Sequence, residues 1–348
     1  MTPWYKDPHT DDGPIISSRV RLARNVKKYP FHSKLSSREA REMIAEATAA
    51  IKNDRTVWGN KFGFMEPSYY SELERRVFLE KHIISQEFIK EGLPKGLLLQ
   101  NDFNISIMLN EEDHIRIQAL CAGDDIKAAW DMANHIDDLI EESVEYAFDQ
   151  EFGYLTACPT NVGTGMRASF MIHLPMMEKT GQLKKILPTI SKFGIAIRGL
   201  YGEGSESMGG IFQISNQITL GKSEQDIIKG LQSVAKNVID KEIWLREKMM
   251  DTHRIDIENN VWRAYGILSY GRRASIKEAM EMISEIRMGY AMGILTIPRP
   301  RKSLYQIMME IQPGHLLRVS SVELDESARD ENRATYLRDI FNRSNLGG

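Results

Sequence analysis

Residues 104–120 read NISIMLNEEDHIRIQAL, and this stretch decides the kind of fold the chain adopts. Ile105, Ile107 and Leu109 alternate along it, Asn110 to Asp113 turn the chain, and Ile115, Ile117 and Ala119 alternate again. Successive side chains on an extended backbone face opposite ways, so two alternating runs joined by a short polar turn spell an antiparallel hairpin. Its tip carries Glu111, Glu112 and Asp113, and Arg116 falls on the polar face with His114 and Gln118.

Working outward from the hairpin, the period changes. Residues 125–149 place Ile126, Trp130, Ala133, Asp137, Ile140, Val144 and Ala147 at three-four spacing, which predicts a helix whose apolar stripe only Asp137 breaks. Upstream, Ser36 and Glu39 form a capping box before Ala40, Met43, Ile44, Ala47 and Ile51 on one helical face. Further strands are predicted at 97–100, 152–157, 168–174, 194–198 and 211–219. Beyond about residue 222 the strand pattern stops. Ser223 opens a helix to about 249, Ser275 with Glu278 caps another, and others fall near 256–268, 302–311 and 325–341, with Pro313-Gly314 as a stop signal. Strands and helices segregate rather than alternate, which predicts an α+β fold with an antiparallel sheet flanked by helices over 1–222, followed by an all-helical domain over 223–348.

The 348 residues suffice for one large or two ordinary domains, and 42% hydrophobic with 27% charged residues is a globular composition. A formal charge of −3 argues against a general nucleic-acid or membrane-surface binder. Two cysteines, Cys121 and Cys158, cannot build a disulfide framework or a multi-cysteine zinc site. The N-terminal MTPWYKDPHTDDGP lacks the apolar run of a signal peptide, and no window approaches a membrane span, so a cytoplasmic location is expected.

Polar clusters gather in the first portion. In SSRVRLARN, Arg19 and Arg21 are two apart, so on extended backbone both point the same way. In CPTNVGTGMRAS, Cys158 precedes a glycine loop closed by Arg167. Arg198 ends GIAIRG and leads into YGEGSESMGG, which carries Glu203 and Glu206. Taken singly, each has a bland reading: an arginine on a strand is usually a solvated surface group, an acidic turn a hydrophilic tip, and a lone cysteine such as Cys121 a small buried hydrophobe. Gly163-x-Gly165-x-x-Ala168 matches a dinucleotide fingerprint in spacing, but FMIHLP follows where a helix is required, so that reading fails.

Jointly and in this order, SSRVRLARN, NEEDHIR, CPTNVGTGMRAS and RGxxGEGSE resemble the conserved blocks of the phosphagen (guanidino) kinase family over about residues 15–222. The residues before the first block do not resemble the small helical domain found there in kinases of free arginine or creatine, so that domain is expected to be lacking, and a helical C-terminal portion is expected in addition. YGEGSE, SNQITLGKSEQDI and RDENRA are similar to the branch of the family that phosphorylates arginine side chains within proteins. The resemblance implies ATP as phosphoryl donor, with Mg2+ held through the nucleotide phosphates. It implies Arg19, Arg21, Arg116, Arg167 and Arg198, with Ser17, as the ATP-binding set, in place of a P-loop lysine. His82 stands where the family has an adenine-side histidine. Glu112 is implied as the base, with Glu111 beside it. Glu206 matches the second guanidinium-binding carboxylate, Glu203 in the same loop being a rival, and Cys158 would sit against the guanidinium as a thiolate. Two positions depart from the family pattern: Tyr201 replaces a common arginine, and Met171 a nucleotide-side histidine.

On the C-terminal helix, Arg329, Asp330 and Arg333 match a motif linked in that branch to phosphoarginine binding, whereas spacing alone fits a solvated, salt-bridged face. The resemblance further implies a homodimer through the C-terminal helices, a zinc-finger activator protein, a heat-shock transcription repressor among the protein substrates, and delivery of marked proteins to a AAA+ Clp protease. The competing expectations are a kinase of free arginine or another small guanidine, and an inactive relative acting as a binding adaptor.

Overall fold

In the computed structural model, residues 2–52, 59–199, 207–320 and 325–343 are described. In chain order they form β1 (Ile15–Arg24), α1 (Ser37–Lys52), β2 (Phe62–Met65), α2 (Glu72–Glu80), β3 (Gly96–Gln100), β4 (Ile105–Leu109), β5 (Ile115–Ala122), α3 (Ile126–Glu141), β6 (Phe148–Asp149), β7 (Gly153–Tyr154) and β8 (Met166–His173). There follow α4 (Pro175–Lys179), α5 (Gln182–Lys192), β9 (Ile195–Gly199), β10 (Ile211–Asn216), α6 (Glu224–Tyr270), α7 (Ile276–Ala291), α8 (Leu304–Glu310), α9 (Pro313–Ser320) and α10 (Glu326–Arg343). Eight strands form a sheet in the order β2-β3-β4-β5-β1-β8-β10-β9, and β6 pairs with β7 separately. The antiparallel α+β class expected from the hairpin pattern is what the chain adopts.

The chain divides into two compact units, one of Met1–Trp4, Ser17–Phe170 and Ser215–Gln232, the other of Tyr5–Ile16, Met171–Ile214 and Ser233–Gly348. Each unit is assembled from segments far apart in the sequence. Segments far apart in sequence share a core when strands of one sheet are collected from both ends of a chain.

In the first unit, β4 and β5 form the expected hairpin, pairing Ile107 with Ile117 and Met108 with Arg116. β1 lies antiparallel to β5, with Arg19 opposite Leu120, Arg21 opposite Gln118 and Ala23 opposite Arg116. Cross-strand partners share a face. This register therefore puts Arg19, Arg21 and Arg116 on the same face. The opposite face, with Val20, Leu22, Ile117 and Ala119 buried, meets α3. A second cluster of buried apolar side chains joins Ile83, Ile84 and Phe88 of the 81–93 segment to Leu97, Leu99 and Met108 of β3 and β4.

α1 keeps its expected cap: Ser36 Oγ receives the Glu39 amide at 3.3 Å while the Glu39 carboxylate takes the Ser36 amide at 2.8 Å. α3 is shorter than the periodicity predicts. It ends at Glu141, and residues 144–147 turn away to bond elsewhere, the Ala147 amide reaching the Asn25 carbonyl at 2.7 Å. Strand 152–157 contracts to Gly153–Tyr154.

The helices expected at 223–249 and 256–268 are both present within α6, as two helical segments that meet at His253, which leaves the helical conformation (φ −137°, ψ 35°); Glu224–Gln232 belongs to the first unit and the rest of α6 to the second. At the kink the Thr252 hydroxyl donates to the Lys248 carbonyl at 3.0 Å and sits 2.7 Å from His253 Nδ1, a local competitor of the helical ladder. Buried Val261, Leu268, Ile283, Ile307, Leu337 and Phe341 supply the core of α6, α7, α8 and α10. Arg287 ties the N-terminal segment into this unit, pairing with Asp11 at 2.7 Å and donating to the carbonyls of Thr10 (2.6 Å) and Gly13 (2.7 Å).

Candidate active site

The 110–114 turn assigns a separate task to each polar residue. Asn110 takes φ 59°, the left-handed conformation asparagine tolerates, and its side chain donates to the Pro94 carbonyl at 2.9 Å. Glu111 is buried and accepts from Ser85 and from Arg116. Burial pushes its carboxyl up, but the Arg116 charge and the hydrogen bonds prevail and hold it below the ordinary range. It orients Arg116 and is not itself available as a base. Asp113 is also buried, accepting from Asn25 Nδ2 and from the Ala157 amide, both at 2.6 Å, with its carboxyl raised chiefly by burial. His114 receives the Val26 amide on Nδ1 at 3.0 Å and reaches the Pro30 carbonyl with Nε2 at 3.0 Å. Glu112, half-buried, lines a cleft to which Asp113 also contributes.

That cleft, about 70 Å3, is lined by Arg21, Glu112, Arg116, Cys158, Asn161 and Arg167, among others. Asp113 fixes its geometry by binding the Ala157 amide, one residue before Cys158. The Cys158 sulfur lies 3.0 Å from the Thr160 hydroxyl, and its thiol is close enough to the Glu112 carboxylate to favour the ionised form. Glu112 is pushed up by burial and by the neighbouring Asp113 and Glu111 charges, against the pull of Arg116 and the thiol. A half-buried carboxylate of raised basicity facing cations is the environment of a proton acceptor.

The cationic wall is unbalanced. Arg21 is driven well below the usual arginine value by removal from water and then by the charges of Arg19, Arg116 and Arg167, with Glu111 as the counterweight. Its Nε is buried without a hydrogen-bond partner. Arginine does not release its proton in a protein, so the imbalance is standing repulsion that a polyanion relieves. This is the observation on which an ATP phosphate fits. Arg19 reaches Ser169 Oγ at 3.4 Å, and Ser17 is buried on the same strand.

The glycine loop supports the cleft from below. Gly165 (φ 61°) lies so close to β1 that a Cβ there would meet the Ala23 carbonyl oxygen at 2.5 Å, and Gly163 (φ 114°) is as close to Thr219. These glycines dock the loop on protein backbone. Buried Arg24 braces it, donating to the Thr164 carbonyl at 3.0 Å, pairing with Asp137 at 2.7 Å and stacking 3.5 Å from the Tyr154 ring centroid. Asp137 breaks the apolar stripe of α3 because it neutralises this arginine.

Other expected site residues fall elsewhere. His82 (φ 56°) lies beside Trp4, its ring kept neutral by burial and the Arg19 charge, with its pKa lowered to about 3. Arg198 stands exposed on β9 and Met171 is buried on β8, both in the second unit. Tyr201, Glu203 and Glu206 lie outside the described residues. On α10, Arg333 is 2% exposed and pairs with Asp330, while its Nε and Nη1 donate to the carbonyls of Ile311 (3.0 Å) and Ala274 (2.8 Å). Arg329 keeps part of its surface. Sequence reading missed Ser85, Asn25, Arg24 and Asp137 as positioning residues; the one signal available was a lone aspartate in an apolar helix face.

An antiparallel sheet presenting clustered guanidinium groups to a carboxylate and a thiol defines the class of guanidino phosphotransferases. Residues 42–245 match the model of the ATP:guanido phosphotransferase C-terminal catalytic domain, and 254–346 match that of the protein-arginine kinase McsB C-terminal domain. The chain is 43% identical over 333 residues to a protein-arginine kinase of Caldanaerobacter subterraneus subsp. tengcongensis, covering 96% of this chain and 98% of that one. With the protein-arginine kinase of Bacillus subtilis it shares 43% over 339 residues, covering 97% and 93%. Its fold is similar to a duplicated taurocyamine kinase of Schistosoma mansoni with bound transition state analog components (TM-score 0.61, 27% identity), covering 70% of this chain and 35% of that one, about a third of its length. A lombricine kinase gives a TM-score of 0.59 over 71% of this chain and 72% of that one, at 24% identity. The chain belongs to the protein-arginine kinase family.

Proposed function

We propose that the chain transfers the γ-phosphoryl group of ATP to guanidinium nitrogens of arginine side chains in proteins. The observation that carries this reading is the unbalanced cluster of Arg21, Arg116 and Arg167 facing Glu112 and Cys158. Phosphoryl transfer needs little covalent help from the protein; it needs charge stabilisation and alignment. We assign Arg19, Arg21, Arg116 and Arg167 to the phosphates, with Ser17 and His82 on the nucleotide side, and we retain Arg198 and either Glu203 or Glu206 as expected contributors. Among the described residues no group of three His, Cys, Asp or Glu side chains could hold a metal ion, and we assign Mg2+ to the triphosphate, where it neutralises charge.

The acceptor guanidinium is planar and cationic, hence a poor nucleophile. Glu112 holds it, and as the new P–N bond forms and the bond from γ-phosphorus to the bridging oxygen breaks, Glu112 takes the departing N–H proton while ADP leaves with the electron pair. Cys158, across the cleft, faces the remaining nitrogens.

Beyond the reaction, we read the helical portion as the dimerisation element, with Arg329 and Asp330 as a phosphoarginine contact and Arg333 as the brace of that turn. Regulatory or degradative marking in the cytoplasm, a zinc-finger activator, a heat-shock repressor as substrate and a AAA+ Clp protease downstream complete the proposal. No helix among the described residues is long and apolar enough to cross a membrane. The test is incubation with γ-labelled ATP and either an unfolded protein or free arginine, followed by acid-labile label analysis and mass spectrometry. Label on protein arginine is the expected result; label on free arginine alone identifies a small-guanidine kinase, and none on either an inactive relative.

A further inference from the structure

The loop that carries Cys158 is flanked by an unusual amount of exposed apolar surface. β6 and β7 pair Phe148 with Tyr154, Tyr154 bridges to Gly163, and Gly163 packs against the backbone of Thr219 and Leu220. The Thr219 hydroxyl is bonded to the carbonyls of Thr160 (3.0 Å) and Val162 (2.7 Å), so the 218–220 segment is fastened directly to the cleft loop. On this platform Phe148 is 56% exposed, Phe152 47%, Ile218 46% and Leu220 50%. Of the six large hydrophobics exposed among the described residues of the first unit, only Phe31 and Tyr69 lie off it. Nothing in the packing of the unit requires them to face water, and a patch of this kind beside a cleft marks a contact surface.

What contacts it follows from the proposed reaction, on which this inference rests. An arginine inserted into the cleft as part of a polypeptide drags its neighbours over the rim. At about 3.3 Å per extended residue, the two or three positions on either side have nowhere to lie but on the surface around the cleft mouth. On the Cys158 side that surface is apolar. We propose that Phe148, Phe152, Ile218 and Leu220 form a specificity rim that seats large apolar side chains flanking the target arginine, so that the enzyme selects arginines in apolar sequence, which only unfolding makes available as extended chain. Folded proteins bury such neighbours and present arginines in polar surroundings.

The experiment uses the full chain and two labelled peptides with a single arginine, one flanked by Leu and Phe, the other by Ser and Asn. Binding is read by fluorescence anisotropy without ATP, and transfer by phosphoarginine formation with ATP. The wild type is expected to show a Kd and a KM about fivefold or more lower for the apolar-flanked peptide, with similar kcat for both. Ile218→Ser combined with Leu220→Ser should bring the two peptides to equal values by raising those of the apolar-flanked one, and Phe152→Ser should do so in part. A wild type that does not distinguish the peptides, or a double variant that still does, overturns the rim. If anisotropy shows the preference and its loss but no peptide or protein arginine is phosphorylated, the rim stands and the proposed reaction falls.

Discussion

The cleft around Glu112 and the turn around Arg333 both hold an arginine among carboxylates, yet the two are opposite in design. On α10, Arg333 is surrounded by acceptors: the Asp330 carboxylate and the carbonyls of Ala274 and Ile311. Its charge is satisfied within the fold. Around Arg21 three other guanidiniums oppose its charge and Glu111 supports it. A satisfied buried arginine holds elements together; a cluster left repelling itself is stable only because the rest of the fold constrains it, and it waits for an anion.

The largest effect that sharpens this contrast comes from Glu112. Glu112→Gln should lower transfer by about 10²–10⁴-fold while nucleotide affinity, built from other residues, is kept. The wild-type rate should also fall with acid earlier than an ordinary carboxylate of pKa about 4.3 dictates, because only the ionised form accepts the proton and its pKa is raised. The variant should lose that limb; rate profiles against pH check both points, and a retained limb removes Glu112 from the role of base.

Next come paired arginine variants. Arg333→Ala strands Asp330 and two carbonyls and should cost on the order of 3 kcal/mol in chemical denaturation. Arg21→Met removes a repelling charge and should leave the denaturation midpoint unchanged or raised, while nucleotide binding weakens. Equal destabilisation by both would erase the distinction between brace and binding site.

Cys158→Ser should slow transfer by a smaller factor than Glu112→Gln without altering the melting temperature, and ATP with an arginine substrate should protect the wild type from thiol alkylation. Activity that survives complete alkylation of Cys158 makes the thiol a spectator.

The smallest effect is that of His82. Its pKa in the fold, about 3, lies below the ordinary value near 6.5, so the unfolded chain binds the proton first. Its contribution to stability is full above pH ~6.5 and is lost as pH falls toward ~3. Replacing His82 with Asn should flatten the acid side of the stability curve, as followed by denaturation at several pH values.

Local pattern determined much of this protein. Alternation in 105–119, the capping boxes at Ser36 and Ser275 and the three-four stripes defined the hairpin, α1, α3 and α7, because burial of one face per element acts over a few residues. The motif order placed Glu112, Cys158, Arg21, Arg116 and Arg167 as candidates for one site. What local pattern could not decide is how charge is shared once different elements of the chain meet. That Glu111 is occupied by Ser85 and Arg116 while Glu112 lines the cleft, that Asp137 answers Arg24, and that Arg333 is enclosed by the carbonyls of Ala274 and Ile311 are each set by tertiary packing: of the Ser85 segment against the hairpin tip, of α3 against β1, and of α10 beside Ala274 and Ile311. The end of α3 at Glu141 and the gathering of each unit from separate stretches of the chain were decided in the same way. Electrostatic and backbone hydrogen-bond terms depend on separations of a few ångströms, and only the assembled fold sets those.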